Sequence, residues 1–243
     1  MSGVFKKILK IIFPPKCLIC GKIIENDNSF CCECWKKIAP IEKPYCSKCS
    51  TPLDFKVSDS DLCGSCLKNN YSFIKSRSAF AYNNIISKVV FKYKFYDDIS
   101  LAKFMSHKMV HASRDIIDNI DMLVVVPMHK KRLIFRKYNQ ALLLANEISK
   151  ITLKPVINDF LIKTKHTTPQ AKLKQKNRKT NVVNTFSINK KYLNDIDSYI
   201  NIRFAIVDDV MTTGSTLNEC TKALNKVGIN NVYVITFAKT VMK

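Results

Sequence analysis

Glycine and acid are scarce in this chain: five Gly and nineteen Asp or Glu stand among 243 residues, against forty Lys or Arg. No G-x-G-x-x-G run occurs, which sets aside a dinucleotide-binding fingerprint. No apolar run approaches the ~18 residues of a membrane helix. The amphipathic stretch Met1 to Phe13 places Lys6, Lys7 and Lys10 among its apolar residues. It has neither the unbroken apolar core nor the small-residue cleavage site of a secretory leader. It reads as a packing helix ahead of Pro14-Pro15, with a helix lying on a membrane surface as the alternative. The chain is therefore expected to be cytoplasmic.

The shortage of acid leaves a net charge of +21, and the excess is clustered. Between His129 and Asn181 there are fourteen Lys or Arg and two acids, Glu147 and Asp159. Such a basic face suits a polyanion. Lys163–Lys179 is the most polar part of it. That segment reads either as an exposed surface stretch or as a hood over a ligand and a track for nucleic-acid phosphates, with Lys172, Lys174 and Arg178 as candidate contacts. Tyr93, Phe95, Tyr96 and Tyr138 are candidates for stacking on unpaired bases, although core packing accounts for most of them.

Ten cysteines in a chain read as cytoplasmic call for metal before disulfides. Eight form C-x-x-C pairs, Cys17/Cys20, Cys31/Cys34, Cys46/Cys49 and Cys63/Cys66, separated by ten, eleven and thirteen residues. Two residues between thiolates let one tight turn present both sulfurs to one tetrahedral ion. Eight ligands make two four-cysteine zinc sites. The sequential grouping puts Cys17, Cys20, Cys31 and Cys34 on one ion and Cys46, Cys49, Cys63 and Cys66 on the other; spacing leaves a crossed grouping open. A redox C-x-x-C needs only one pair and a βαβ setting that is absent here. Gly21 and Gly64 lie beside knuckle cysteines, where positive φ is useful, and Trp35 and Tyr45 are expected to pack on the knuckles. Cys32 and Cys220 read as structural, as do His107 and His111, which lack a third ligand. A region this short buries little apolar surface, so zinc is expected to supply much of its folding free energy. Scaffold, partner docking and nucleic-acid contact are all open to it.

From Tyr71 onward the pattern is α/β. Ser78–Tyr82, Met122–Pro127, Phe204–Asp208 and Val232–Phe237 read as strands. Ile85–Phe95, Ile99–His111 and Tyr138–Ile151 read as helices, and a further helix ends at a Gly228 cap. Strands apolar on both faces and alternating with helices predict a mostly parallel sheet flanked by helices. The division expected is residues 1–70 for the zinc ribbons and 71–243 for the α/β unit. Ligands of such sheets sit beyond the strand C-termini, so the loops after Pro127 and Asp208 are expected to share one crevice.

Phe204-Ala-Ile-Val-Asp-Asp-Val-Met-Thr-Thr-Gly-Ser-Thr216 carries the most chemistry. A strand delivers Asp208 and Asp209, then a hydroxyl-rich turn, Thr212 to Thr216, opens a helix. Helix N-terminal N–H groups and the helix dipole favour an anion. Gly214 lets the backbone come close, and Thr212, Thr213, Ser215 and Thr216 add hydroxyl donors. Paired carboxylates suit two vicinal ribose hydroxyls. The combination predicts a sugar 5-phosphate, and the missing Walker A lysine argues against nucleoside-triphosphate hydrolysis.

This segment resembles the phosphoribosyl pyrophosphate loop of type I phosphoribosyltransferases. The resemblance implies that Asp208 and Asp209 hold the ribose hydroxyls and Thr212–Thr216 the 5-phosphate. Thr212 stands where some members carry an acidic general base. The loop after Pro127 could clamp pyrophosphate through Lys130, Lys131, Arg132 and Arg136. It ends in Arg136-Lys-Tyr-Asn-Gln140, which resembles the R-G-[FY]-N-Q signature of the ComF/GntX family, with Lys137 in place of the usual glycine. Thr167, Gln170, Leu173, Arg178, Asn181 and Phe186 follow a second pattern of that family, and the four cysteine pairs match its double zinc ribbon. Membership would imply a type I phosphoribosyltransferase-like fold and a role in natural competence. In that role the protein would bind phosphoribosyl pyrophosphate with Mg2+ and handle incoming single-stranded DNA beside an ATP-driven helicase partner. The alternatives are an active phosphoribosyltransferase acting on a nucleobase or amine, and a sensor of phosphoribosyl pyrophosphate without chemistry. Nothing in the residue order names an acceptor or an acidic catalytic base.

Overall fold

A computed structural model describes residues 12–55, 58, 61–95, 99–129, 138–164 and 185–241. In chain order the elements are α1 (Cys32–Trp35), α2 (Gly64–Lys68), β1 (Lys75–Ala81), α3 (Asn84–Phe95), α4 (Ile99–Ala112), α5 (Arg114–Ile117), β2 (Met122–Val125), α6 (Gln140–Thr152), β3 (Val156–Ile157), β4 (Leu161–Lys163), β5 (Phe186–Ile188), β6 (Phe204–Met211), α7 (Ser215–Asn225) and β7 (Val232–Lys239).

Five strands form one parallel sheet in the order β1-β7-β6-β2-β3. The expected α/β class with a mostly parallel sheet is what the chain builds. Because successive side chains of a strand point to opposite faces, each central strand feeds two cores. Ala205 and Val207 of β6, Ile235 and Phe237 of β7 and Leu123 and Val125 of β2 pack with α3, α4 and α6. Phe204, Ile206, Val232, Val234 and Val124 face the other way, toward α7 and the antiparallel pair β4-β5.

β6 runs three residues beyond the expected Phe204–Asp208 because β7 runs with it: Val210 registers with Ala238 and Met211 with Lys239. Asp208 and Asp209 are therefore inside the paired strand, and their carboxyls leave on opposite faces. The helix after β2 starts at Gln140, where the Asn139 side chain accepts from the Ala141 N–H and donates to the Val126 carbonyl at 3.1 Å. That cap ties the start of α6 to the C-terminal end of β2.

Both halves of the chain share these cores. Cys17, Ile19, Phe30, Cys34 and Ile38 belong to the α3/α4/α6 side. Cys46, Cys49, Cys63, Cys66, Tyr71 and Phe73 belong to the α7 side. The segment between the two ribbons crosses the outer edge of β1: Ile41 N–H donates to the Ala79 carbonyl and Ala81 N–H to the Ala39 carbonyl at 3.0 and 2.8 Å. An edge strand that would otherwise offer free backbone groups is covered by the ribbon's own chain.

Candidate functional site

Each cysteine tetrad is assembled from one tight turn and one helix start. Cys17 and Cys20 lie on a knuckle closed by Gly21 N–H donating to the Cys17 carbonyl at 2.9 Å, and Cys46 and Cys49 on one closed by Ser50 N–H donating to the Cys46 carbonyl at 2.9 Å. Cys31 caps α1, which carries Cys34, and Cys63 caps α2, which carries Cys66. The ligand atoms of Cys17, Cys20, Cys31 and Cys34 all lie within 4.8 Å of one another, as do those of Cys46, Cys49, Cys63 and Cys66. The sequential grouping is the one built.

A cation fits both sets. Cys46 Sγ lies 3.7 Å from Cys66 Sγ and Cys49 Sγ 3.5 Å from Cys63 Sγ; hydrogen bonding among the sulfurs lowers the Cys46 thiol and raises that of Cys66. Four cysteine sulfurs at this separation suit tetrahedral zinc, which binds them as thiolates and releases their protons. The positive-φ residue of the second knuckle is Ser50 (φ 55°), not Gly64, which starts α2 with ordinary backbone; Gly21 (φ 77°) fills the role in the first. Tyr45 flanks its knuckle through a bridge to Pro52, under the Arg77 guanidinium 4.8 Å above its ring. Trp35 stays 44% exposed, with Lys108 of α4 4.8 Å over it. Cys220 is fully buried and Cys32 exposed.

At the C-terminal end of β6 the acid pair is asymmetric. Asp209 is buried, and Lys94 Nζ, from the last turn of α3, lies 2.6 Å from its carboxylate. Asp208 keeps some accessible surface but is densely surrounded by protein. Burial, and then the charge of Asp209, push its carboxyl up to about 7, with Lys94 pulling the other way. Its Oδ1 accepts from the Asp209 N–H at 2.9 Å.

The turn that follows is tightly held. Gly214, at φ 74°, caps α7, so Ser215 and Thr216 fall in the first helical turn. Thr213 Oγ1 and Ser215 Oγ are 2.8 Å apart, and Asn218 N–H donates to the Gly214 carbonyl. A Cβ on Gly214 would sit 2.7 Å from Met211 Cε and 3.0 Å from the Tyr71 ring. In this structure the glycine is required by its φ and by packing behind the loop. Tyr71 Oη donates to the Thr213 carbonyl at 2.9 Å, and Ser72 N–H to Asn218 Oδ1 at 2.6 Å.

Two residues of this site escape sequence reasoning: Lys94 and Tyr71. Lys94 is one of several lysines on α3 with no local mark to separate it from Lys88 or Lys92. Lys92 Nζ instead donates to the Leu18 and Ile19 carbonyls of the first knuckle. Tyr71 meets the loop across 142 residues of sequence. Gln140, the last residue of the Arg136–Gln140 motif, is 3% exposed, and among the described residues neither polar atom of its side-chain amide has a partner. Its carbonyl accepts from Tyr93 Oη at 2.6 Å, which ties α3 to α6 and makes Tyr93 a core residue.

Lys130, Lys131, Arg132 and Arg136 lie outside the described residues, as do Lys172, Lys174, Arg178, Tyr96 and the Met1–Ile11 segment. β2 and β6 are neighbours with Val125 beside Val207, so β2 ends level with the residue before the acid pair while β6 runs on to Met211. Among the described residues no helix is long and apolar enough to cross a membrane.

A cysteine-stapled unit sharing its cores with a parallel α/β sheet defines a zinc-ribbon protein with a phosphoribosyltransferase-type domain. The family models agree: a double zinc ribbon domain matches residues 8–67 and a phosphoribosyl transferase domain residues 139–241. The chain is 31% identical to Competence protein F of Haemophilus influenzae over 90% of its own length and 94% of that protein. It is 25% identical to DNA utilization protein YhgH of Escherichia coli (strain K12), over 93% of this chain and 98% of that one. With Competence protein ComFC of Bacillus subtilis it shares 24% over 85% of this chain and 82% of that one. The chain belongs to the ComF family.

Proposed function

We propose that this protein binds phosphoribosyl pyrophosphate and handles single-stranded DNA in the cytoplasm during DNA uptake. The observation that carries the ligand half is the pairing of Asp208 and Asp209 with a glycine-capped, hydroxyl-rich helix start at the end of β6. In this reading the two carboxylates accept from the ribose hydroxyls. The first-turn amides of α7, with Thr212, Thr213, Ser215 and Thr216, hold the 5-phosphate. Lys130, Lys131, Arg132 and Arg136 are the candidates to clamp the pyrophosphate, and Mg2+ bound with it would supply charge neutralisation. Lys94 gives the acid pair a resident counter-charge while no ligand is bound.

Support for the DNA half is the cationic composition, the names of the relatives, competence and DNA utilization proteins, and the family itself. Lys172, Lys174 and Arg178 are its candidate contacts, the zinc ribbons its docking unit, and a helicase of the uptake machinery its protein partner. The test is calorimetric titration with phosphoribosyl pyrophosphate and Mg2+, followed by single-stranded DNA binding at ~50 mM salt, where phosphate contacts are strongest. Failure of the first, or DNA binding indifferent to neutralising Lys172, Lys174 and Arg178, overturns the corresponding half.

Transfer of phosphoribose to a nucleobase or amine is the second reading, favoured by the match to a phosphoribosyl transferase domain. Consumption of phosphoribosyl pyrophosphate across a nucleobase panel, absent in an Asp208→Asn/Asp209→Asn double variant, would establish it.

A further inference from the structure

The second cysteine tetrad and the phosphate loop are joined by a short, fully traceable path. Cys63 and Cys66 sit at the start of α2. The end of α2 is closed by Asn69, whose N–H and side-chain amide both donate to the Ser65 carbonyl at 2.8 and 2.9 Å. Tyr71 N–H donates to the Asn69 carbonyl at 2.8 Å. Tyr71 then turns inward, buried at 8% exposure and stacked on Phe73 with ring centroids 5.0 Å apart. Its hydroxyl donates to the Thr213 carbonyl, and its ring fills the space that a Cβ on Gly214 would take. One residue on, Ser72 N–H holds Asn218 in the first turn of α7. Two hydrogen bonds and one ring thus fix both ends of the loop from a segment that the metal site itself anchors.

We propose that Tyr71 is a positioning residue: it holds the Thr212–Thr216 loop in its anion-binding shape, and so couples zinc at the Cys46/Cys49/Cys63/Cys66 tetrad to ligand binding at that loop. The ligand half rests on the function proposed above; the latch itself does not. Burial, and then the charges of the cysteine sulfurs, push the Tyr71 hydroxyl up, so it stays a donor across the working range. A coupling between two binding events is reciprocal. Phosphoribosyl pyrophosphate should slow zinc release from the second tetrad, and loss of that zinc should loosen the loop.

The experiment uses the full chain with its zinc, as wild type, Tyr71→Phe, Asn218→Ala and Cys63→Ser. Tyr71→Phe keeps the ring and removes only the hydroxyl. Amide hydrogen exchange is followed at residues 212–218. Faster exchange there in Tyr71→Phe, with two zinc ions still bound, and in Cys63→Ser, is the expected result. Unchanged exchange in Tyr71→Phe overturns the latch, whatever the ligand does. Asn218→Ala checks the second attachment, and should add to the effect. Calorimetry with phosphoribosyl pyrophosphate then tests the coupling. The expected loss of affinity in Tyr71→Phe is about three- to tenfold, the scale of one neutral hydrogen bond. Equal affinity in wild type and Tyr71→Phe overturns the coupling. No binding by wild type at millimolar ligand overturns the proposed function and leaves the latch to be decided by exchange alone.

Discussion

Lys94 Nζ and Asp209 Oδ2 are 2.6 Å apart, joining the last turn of α3 to the acid pair of β6. The Asp209 side chain is 9% exposed and that of Lys94 27%, so solvent screens the pair little. Asp208 adds a second carboxylate beside it. Removing the cation would leave the buried Asp209 carboxylate without its counter-charge, next in sequence to a second acid. Lys94→Gln is therefore expected to destabilise the protein by about 1–3 kcal/mol at pH 8. It also removes the one charge that pulls the Asp208 carboxyl down, so the loss should shrink as pH falls and Asp208 takes up its proton. Thermal denaturation from pH 5 to pH 8 checks this; a loss independent of pH would mean that Lys94 does not act on Asp208.

Asp208 predicts the opposite sign. Its carboxyl is pushed up to about 7 in the folded chain, from an ordinary value of 3.8. The folded state then holds a proton that the unfolded state releases, through the window between those two values. Stability is lost as pH rises through it. Asp208→Asn cannot ionise and should be more stable than wild type at pH 8 by at least about 1 kcal/mol, with the advantage fading toward pH 4. The same substitution should abolish binding of phosphoribosyl pyrophosphate, because the ribose hydroxyls lose an ionised acceptor. Wild-type binding should accordingly strengthen as pH rises through 7. A variant both less stable at pH 8 and still competent to bind would refute the assignment.

How far the sequence carried can be judged at particular residues. The strand cores, the α/β class and the eight zinc ligands follow from local pattern, because a period of two or a C-x-x-C spacing is written in adjacent residues. The end of β6 was misplaced for an equally local reason: two acids look like the end of a buried strand. They are kept inside it by β7, whose Lys239 registers with Met211 from 28 residues further along the chain. Lys94, Tyr71 and the shared cores are likewise products of long-range packing and leave no periodic trace. Ser50 shows a subtler limit. Glycine is the residue to expect at positive φ, yet the second knuckle imposes φ 55° on a fully buried serine, while the nearby Gly64 sits at a helix start.

Glycine substitutions should separate these two roles. Gly214→Ala meets both a positive φ and close contacts with Met211 and the Tyr71 ring. Met211 can swing its terminal methyl; the stacked ring cannot move as freely. A cost of about 1–3 kcal/mol is expected, with weaker ligand binding. Gly64→Ala meets nothing within 4 Å and lies in a helix, so it should be neutral or slightly stabilising. Denaturant unfolding of the two variants, with zinc content measured in each, provides the comparison. Equal effects would mean that the loop tolerates a side chain and that its backbone shape is not critical.

The two metal sites should differ in how fast they yield their ions. In the first tetrad Cys20 is exposed and Cys31 partly so; in the second all four cysteines are buried against the core behind β6 and α7. A chelator must reach a sulfur–metal bond, or wait for the fold to open. Zinc release to a chromogenic chelator should therefore be biphasic, one ion leaving quickly and one slowly. Cys20→Ser should remove the fast phase and Cys49→Ser the slow one. Cys49→Ser should also cost more in stability, by at least about 2 kcal/mol, because the second tetrad is part of the core on which the sheet packs. Release in a single phase, or a fast phase that survives Cys20→Ser, would show that access to the sulfurs does not set the rate. Phosphoribosyl pyrophosphate should retard the slow phase alone, since among the described residues it is the second tetrad that reaches the phosphate loop, through Tyr71. A fast phase retarded equally would point to general stabilisation of the fold instead of that path.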